Sequence, residues 1–283
     1  MAKILLTGGS GFVGKHMYQH LLDLGHHVKN IDLALGYDIL SLYDPDQLHY
    51  RKEEFDPDYI VHLASFPRVG LSIEDPVRTM FNNVVSTSFM LNFARYCNVE
   101  RFVFAGSSSV VGDGYMPLSP YALQKLTSEM ECKLYSTLYN VDTATMRYFN
   151  VYSDDHTSRD LHGTLVSKIR GHIEDQTPLQ IYGDGSVRRD MAYIDDVVRS
   201  TCHILFHSQK TEGKTFDVGT GNNWSVNEVV SYAKHFHPNL QVDYRTTRKG
   251  DMKATKADLR ALRDYGYEIT TPIHIGLMRA FNG

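Results

Sequence analysis

Only three cysteines occur in the 283 residues, Cys97, Cys132 and Cys202, far apart and in no CxxC spacing. That scarcity excludes a disulfide framework and a zinc-ribbon type of metal centre, and it fits a reducing compartment. Positive charge is not in excess either: 29 Lys and Arg against 33 Asp and Glu give a formal charge of −4 and a pI near 6.4. No overall positive field is available to attract nucleic acid or an anionic membrane. No apolar run approaches the roughly 18 residues that cross a bilayer, and no proline-rich or low-complexity stretch points to disorder. The GxxxxGK[ST] signature of nucleoside triphosphate sites is missing. A glycine-rich segment follows Met1 too closely for a charged, apolar and cleavable leader, so a cytoplasmic location is expected. What is present is an ordinary globular composition, 42% hydrophobic and 22% charged, enough for one large α/β domain or a main domain with a smaller companion.

Strand-like and helix-like segments alternate through the first half, the pattern of a doubly wound parallel sheet with helices on both faces. Lys3 to Thr7, His27 to Ile31, Tyr59 to Leu63, Arg101 to Ala105 and Asp142 to Tyr148 read as strands. Val13 to Leu24, Pro76 to Tyr96 and Pro120 to Tyr139 read as helices. After Tyr152 the order weakens at the polar break Asp154-Asp155-His156-Thr157-Ser158. Beyond it, Leu165 to Glu174 and Val226 to Phe236 read as helices, and Asp217 to Thr220 and Val242 to Arg245 as short strands. The expected division is a Rossmann-type domain over 1–152 and a smaller mixed α/β domain over 153–283, with 181–210 a candidate to return to the first.

The stretch TGGSGFVG, Thr7 to Gly14, stands between the first strand and the first helix. Gly8, Gly11 and Gly14 let the backbone approach a pyrophosphate closely, and the helix start offers N–H groups and a favourable dipole. Alone, the motif also fits a glycine-rich turn without a ligand. Asp32 ends the second strand about 20 residues beyond the loop, where a carboxylate accepts hydrogen bonds from ribose hydroxyls and repels a 2′-phosphate. That position favours NAD over NADP.

Tyr121 and Lys125 lie four apart in Ser119-Pro120-Tyr121-Ala122-Leu123-Gln124-Lys125, hence on one helical face. A phenol is a poor base at neutral pH unless nearby positive charge stabilises its phenolate, so a lysine and a nicotinamide cation would make Tyr121 an acid/base group. YxxxK also arises by chance in helices. Upstream, Gly106-Ser107-Ser108-Ser109 stands at the carboxyl end of the fourth strand, where open α/β sheets bind ligands.

In this combination and order the sequence resembles the extended short-chain dehydrogenase/reductases, in particular the NAD-dependent nucleotide-sugar epimerases and dehydratases of the UDP-glucose 4-epimerase type. The resemblance covers nearly the whole chain. It rests on the glycine loop, Asp38-Ile39, His62-Leu63-Ala64, Asp75-Pro76, Asn83-Val84, Ser107, Tyr121 with Lys125, and Arg147-Tyr148-Phe149-Asn150-Val151-Tyr152. It continues through Ile181-Tyr182-Gly183-Asp184-Gly185, Arg189-Asp190, Tyr193-Ile194-Asp195-Asp196, Val218-Gly219-Thr220-Gly221 and Arg248-Lys249-Gly250-Asp251.

The resemblance implies a triad of Ser107, Tyr121 and Lys125. It implies an NAD site from Gly8, Gly11, Phe12, Val13, Gly14, Asp32, Asp38, Ile39, Leu63, Ala64, Asn83 and Tyr148, together with Tyr121 and Lys125. For a nucleotide-diphosphate sugar it implies Asn150, Arg189, Arg248 and Asp251 beside Ser107 and Ser108, while Arg68 either reads an anionic substituent or stands at the surface. In dehydratases of this family the two residues after the catalytic slot are typically Asp and Glu. Here Ser108 and Ser109 stand there, and elimination lacks its general acid. The expected activity is therefore epimerisation at C4 of a UDP-hexose through a 4-keto intermediate. A 4,6-dehydratase, a ketosugar reductase, an ADP-heptose 6-epimerase and a non-catalytic NAD-binding sensor or scaffold are the alternatives. Departures from the family pattern at Val111, Ser153, Val187 and Lys249 bear on the sugar pocket. No metal is implied, and a homodimer paired through Pro76 to Tyr96 and Pro120 to Tyr139 is expected.

Overall fold

Lys3–Thr7 shows why the first strand sits at the centre of a sheet: Ile4 and Leu6 turn to one face, Leu5 to the other, and all three are buried. Burial on both faces is the mark of a parallel strand covered by helices. The computed structural model describes residues 1–111, 116–155, 163–246 and 254–282. The chain opens with β1 (Lys3–Thr7), α1 (Phe12–Asp23) and β2 (His27–Ile31), then α2 (Pro45–Glu54) and β3 (Tyr59–His62). Next come α3 (Val69–Glu74), α4 (Pro76–Met80), α5 (Ser86–Cys97), β4 (Arg101–Ser107), α6 (Pro120–Tyr139) and β5 (Thr143–Tyr148). The remainder runs α7 (Leu165–Asp175), β6 (Leu179–Tyr182), β7 (Arg188–Arg189), α8 (Ile194–Leu205), β8 (Lys214–Val218), β9 (Trp224–Ser225), α9 (Val226–Phe236), β10 (Val242–Arg245), α10 (Arg260–Asp264) and α11 (Ile273–Asn282).

Six strands form the main sheet in the order β2-β1-β3-β4-β5-β8, all parallel. The order reverses between β1 and β3, which opens a crevice at their carboxyl ends. One face packs Leu5, Ile60, Phe102 and Phe104 against Met90, Leu91 and Phe93 of α5. The other packs Ile4, Leu6, Val61 and Val103 against Met17 and Leu21 of α1 and Val197 and Val198 of α8. Two small two-stranded sheets, β6 with β10 and β7 with β9, complete the later part.

Three expectations change. The strand read at Asp217 to Thr220 is Lys214–Val218, and it pairs with β5 as the sixth strand of the main sheet. Together with α8 on the face of that sheet, it breaks any clean division of the chain at residue 152. The long helix read at Pro76 to Tyr96 carries a π-helical turn at Phe81–Val85. At that turn the carbonyl of Asn83 accepts from the hydroxyls of Thr87 (2.7 Å) and Ser128 (3.0 Å).

His62 is wholly buried at the end of β3, between Thr7 Oγ1 at 2.7 Å and Thr87 Oγ1 at 3.1 Å. Burial, and secondarily the charge of Lys125, pushes its pKa down to about 3 from the ordinary 6.5. The unfolded chain takes up this proton below pH 6.5 and the folded one does not, so stability is complete above that pH and falls as the pH drops towards 3. Each pH unit in that window costs up to about 1.4 kcal/mol. Melting temperatures recorded from pH 7 to 4 should fall less steeply in His62→Gln than in the parent chain.

Candidate active site

The turn from β1 into α1 is shaped by close backbone contact. A Cβ on Gly14 would lie 2.0 Å from the carbonyl oxygen of Gly8, and Gly8 itself has φ +71° and faces the backbone of Ala64. Asn30 Oδ1 accepts from Gly9 N at 3.0 Å, and Asp32 accepts from Ser10 N and Ala34 N, each at 2.9 Å. The helix then begins at Gly11 with neither a capping side chain nor an acidic residue in its first turn. A helix of twelve residues that starts in this way presents amide hydrogens and the positive end of its dipole to an anion. The cradle fits a dinucleotide pyrophosphate. Phe12 and Val13 pack their side chains against the core, so their contribution at the loop is the main chain.

Several expected cofactor residues are placed less directly. Asp38 is exposed and its Oδ1 accepts from Leu40 N at 2.9 Å, while the side chain of Ile39 is buried in the core. Leu63 and Ala64 border the glycine loop, with Ala64 N donating to Thr7 Oγ1 at 3.1 Å. Asn83 is 1% exposed; it accepts from Phe66 N at 2.7 Å and donates to Gln124 Oε1 at 2.8 Å, so its amide organises protein rather than opening into the crevice. The Tyr148 hydroxyl sits 3.0 Å from Thr201 Oγ1 on α8. Its side chain therefore lies on the face of the sheet that α8 covers.

The triad assembles between β4 and the start of α6. Pro120 begins the helix, Ser119 caps it by accepting from Ala122 N, and the (i, i+4) spacing puts Tyr121 and Lys125 on the side facing β4. Tyr121 is 8% exposed, and the Ser107 side chain is near enough to its phenol to favour the ionised form. Ser107 Oγ lies 2.9 Å from Ser109 Oγ and accepts from Ser109 N at 3.2 Å, while Ser108 is buried in the 3-10 turn that follows β4. Lys125 donates from Nζ to the carbonyl of Ala105 at 2.8 Å, and burial lowers its pKa to about 7. The expected depression of the Tyr121 phenol by Lys125 is not what acts here. Burial raises the phenol and the nearby Ser107 hydroxyl opposes it, with the ammonium turned to the Ala105 carbonyl.

On the substrate side, Arg68 is partly buried just ahead of α3, and Arg189 is partly buried on β7 with Nη1 donating to the Arg188 carbonyl at 3.1 Å. Asn150, at φ +37°, donates to the Asp190 carbonyl at 2.7 Å. Arg248 and Asp251 lie outside the described residues. Sequence reading missed how Asp190 works. Wholly buried, its carboxylate accepts from Thr220 N, Thr220 Oγ1, Gly221 N and Ala257 N, and it ties together three loops of the later half. It also missed Ser72, which stands in a short helix with no motif to mark it. No group of three or more His, Cys, Asp or Glu that could hold a metal occurs among the described residues.

The chain is 28% identical to a UDP-glucose 4-epimerase of Mycolicibacterium smegmatis, over 93% of this chain and 91% of that one. It is 27% identical to a UDP-glucuronate 4-epimerase of Thermodesulfobacterium geofontis, over 100% and 96%. The crystal structure of a UDP-glucose 4-epimerase of Thermus thermophilus in complex with NAD superposes with a TM-score of 0.87 at 26% identity, covering 99% of this chain and 98% of that one. With the model of the NAD dependent epimerase/dehydratase family matching residues 4–219, around the glycine loop and triad just described, the chain belongs to that family.

Proposed function

We propose that this chain is an NAD-dependent nucleotide-sugar epimerase that inverts C4 of a UDP-linked hexose by oxidising and re-reducing that carbon. The observation that carries the reading is the buried Tyr121–Ser107 pair at the carboxyl edge of β4, flanked by Ser108 and Ser109 where an eliminating enzyme needs a carboxylic acid. Relatives named as UDP-glucose and UDP-glucuronate 4-epimerases support the choice of carbon and of nucleotide.

NAD supplies the hydride acceptor, and on return the donor. The Gly8–Gly14 loop and Asp32 would hold its pyrophosphate and ribose, and Lys125 would hold the ribose nearer the nicotinamide. Tyr121, as phenolate, removes the proton from the 4-hydroxyl, with Ser107 bridging between the phenol and the sugar oxygen. Arg189 grips the diphosphate, for which a guanidinium fork is suited, while Arg248 and Asp251 serve the nucleotide, the aspartate accepting from its ribose hydroxyls. Held by that end alone, the 4-keto sugar turns over. Tyr121 returns the proton after the other face has been reduced. Such a cycle would leave the cofactor unchanged overall, so it is expected to stay bound.

The proposal includes a cytoplasmic homodimer. Met130, Leu134 and Leu138 lie along one face of α6 with 64, 51 and 61% exposure, and Val77 and Phe81 are exposed on the earlier helical run 76–85. Such a stripe supports pairing of two chains; a light-scattering mass of one chain would remove this part.

Proton NMR of the protein without added cofactor, incubated with UDP-sugars, is the test. The expected result is a second stereoisomer of unchanged mass differing at C4. A keto sugar lighter by one water, or no change with any UDP-hexose or UDP-hexuronate, would overturn the reading.

A further inference from the structure

The start of α6 has more holding it than its cap. Pro120 has no N–H, Ala122 N donates to Ser119 Oγ, and Leu123 N donates to the Ser119 carbonyl. The remaining orphan donor of that turn is the amide of Tyr121 itself. It is met from another element: Tyr121 N donates to Ser72 Oγ at 3.0 Å, and the same hydroxyl donates to the Val69 carbonyl at 2.7 Å. Ser72 is wholly buried in α3, the short helix that Arg68 precedes.

This bond heads a polar seam. One turn on, Gln124 Nε2 donates to Thr79 Oγ1 at 3.0 Å and to the Pro76 carbonyl at 3.2 Å. Its Oε1 accepts from Asn83 Nδ2 at 2.8 Å, and another turn on, Ser128 Oγ donates to the Asn83 carbonyl at 3.0 Å. A seam of leucines would accept small slides of one helix along another, whereas buried hydrogen bonds fix both the distance and the direction of each contact. The seam follows the face of α6 adjoining Tyr121 and Lys125, so its register sets where the phenol stands.

We propose that Ser72 is a positioning residue for Tyr121: its hydroxyl fixes the main chain of the base against α3 and thereby sets the phenol opposite Ser107 and the sugar carbon. It touches neither substrate nor cofactor. The proposal rests on Tyr121 being the base, as read above. An error of about 1 Å in such an alignment costs up to roughly a hundredfold in rate. In Ser72→Ala the Tyr121 amide and the Val69 carbonyl lose their shared partner, and the first turn of α6 relaxes.

The experiment measures kcat, KM, the pH profile of kcat and the bound NAD content for Ser72→Ala and Ser72→Cys, with Tyr121→Phe beside them. Ser72→Ala should lose between about tenfold and a hundredfold in kcat, with KM and NAD content near those of the parent. The acidic limb of its pH profile should move upward, because a phenol drawn away from the Ser107 hydroxyl loses the neighbour that favours its ionised form. Ser72→Cys, close in volume with a weaker acceptor, should fall between. Parental kcat and pH profile in Ser72→Ala, whatever its melting temperature, would reduce Ser72 to packing and overturn the proposal. Should the alanine variant not fold, parental kcat in Ser72→Cys overturns it equally. An active Tyr121→Phe would remove the base assignment itself, whereas an inactive Tyr121→Phe beside a fully active Ser72→Ala removes only the positioning role.

Discussion

Tyr121→Phe should lower epimerase turnover by roughly a thousandfold, within the range that a positioned proton-transfer group contributes, while NAD remains bound. The substitution deletes one oxygen from a side chain that is 8% exposed and leaves its packing unchanged. What it removes is the group that exchanges a proton with the sugar hydroxyl. Burial raises the phenol above its ordinary range, so the reactive phenolate is the minor form at neutral pH in the chain alone. Turnover in the parent should therefore climb with pH on its acidic side, as the phenol ionises. Progress curves of the sugar stereoisomers across pH, with NAD content measured on the same samples, check both statements. A Tyr121→Phe variant retaining even a tenth of the parental rate would sink the mechanism.

Gly14→Ala should abolish NAD retention and lower stability by about 1–3 kcal/mol or more, the usual cost of overpacking. The new methyl would fall 2.0 Å from the Gly8 carbonyl oxygen and 2.7 Å from the Gly9 Cα, and these are backbone atoms that cannot step aside. Relief requires the glycine loop to move off the helix start, which dismantles the anion cradle. Gly11→Ala provides the graded control. Its nearest contact is 3.2 Å and its φ of −76° suits any residue. NAD content after purification and thermal unfolding should rank parent, Gly11→Ala, Gly14→Ala; the reverse order for the two variants would contradict the packing account of the loop.

Much of the first half was legible because local signals agree there. Pro120–Tyr139 and Val226–Phe236 were read to the residue: each begins at a serine cap, and the first also at a proline in its first turn. β1 and β2 run over the residues read for them, Lys3–Thr7 and His27–Ile31, although only Val28 and Ile31 of β2 are buried. β8 was read three residues late. Its sequence KTFDV alternates at the sheet's edge, so only Phe216 and Val218 signal burial, and the following Gly219-Thr220 drew the reading forward. The π turn at Phe81–Val85 had no signature of its own, and one of the two hydroxyls on its Asn83 carbonyl, that of Ser128, comes from a helix more than forty residues away. The direction of Tyr148 was hidden for a similar reason, since its hydroxyl meets Thr201 on α8, more than fifty residues on. Ser72 illustrates the general limit: its two bonds join a short helix to the head of another, and no spacing within either announces the contact.

β8 has a consequence for how the molecule comes into being. Its partner β5 ends at Tyr148, yet β8 does not begin until Lys214, and the guanidinium of Arg101 on β4 closes onto the carbonyls of Ile204, His207 and Gln209. During synthesis the first five strands leave the ribosome well before the sixth, and β5 meanwhile presents an unpaired row of amides and carbonyls to any neighbouring chain. The dinucleotide-binding half is thus not self-sufficient: a fragment ending near residue 152 carries a sticky edge, and the nascent protein reaches safety only once the segment through Val218 has folded back.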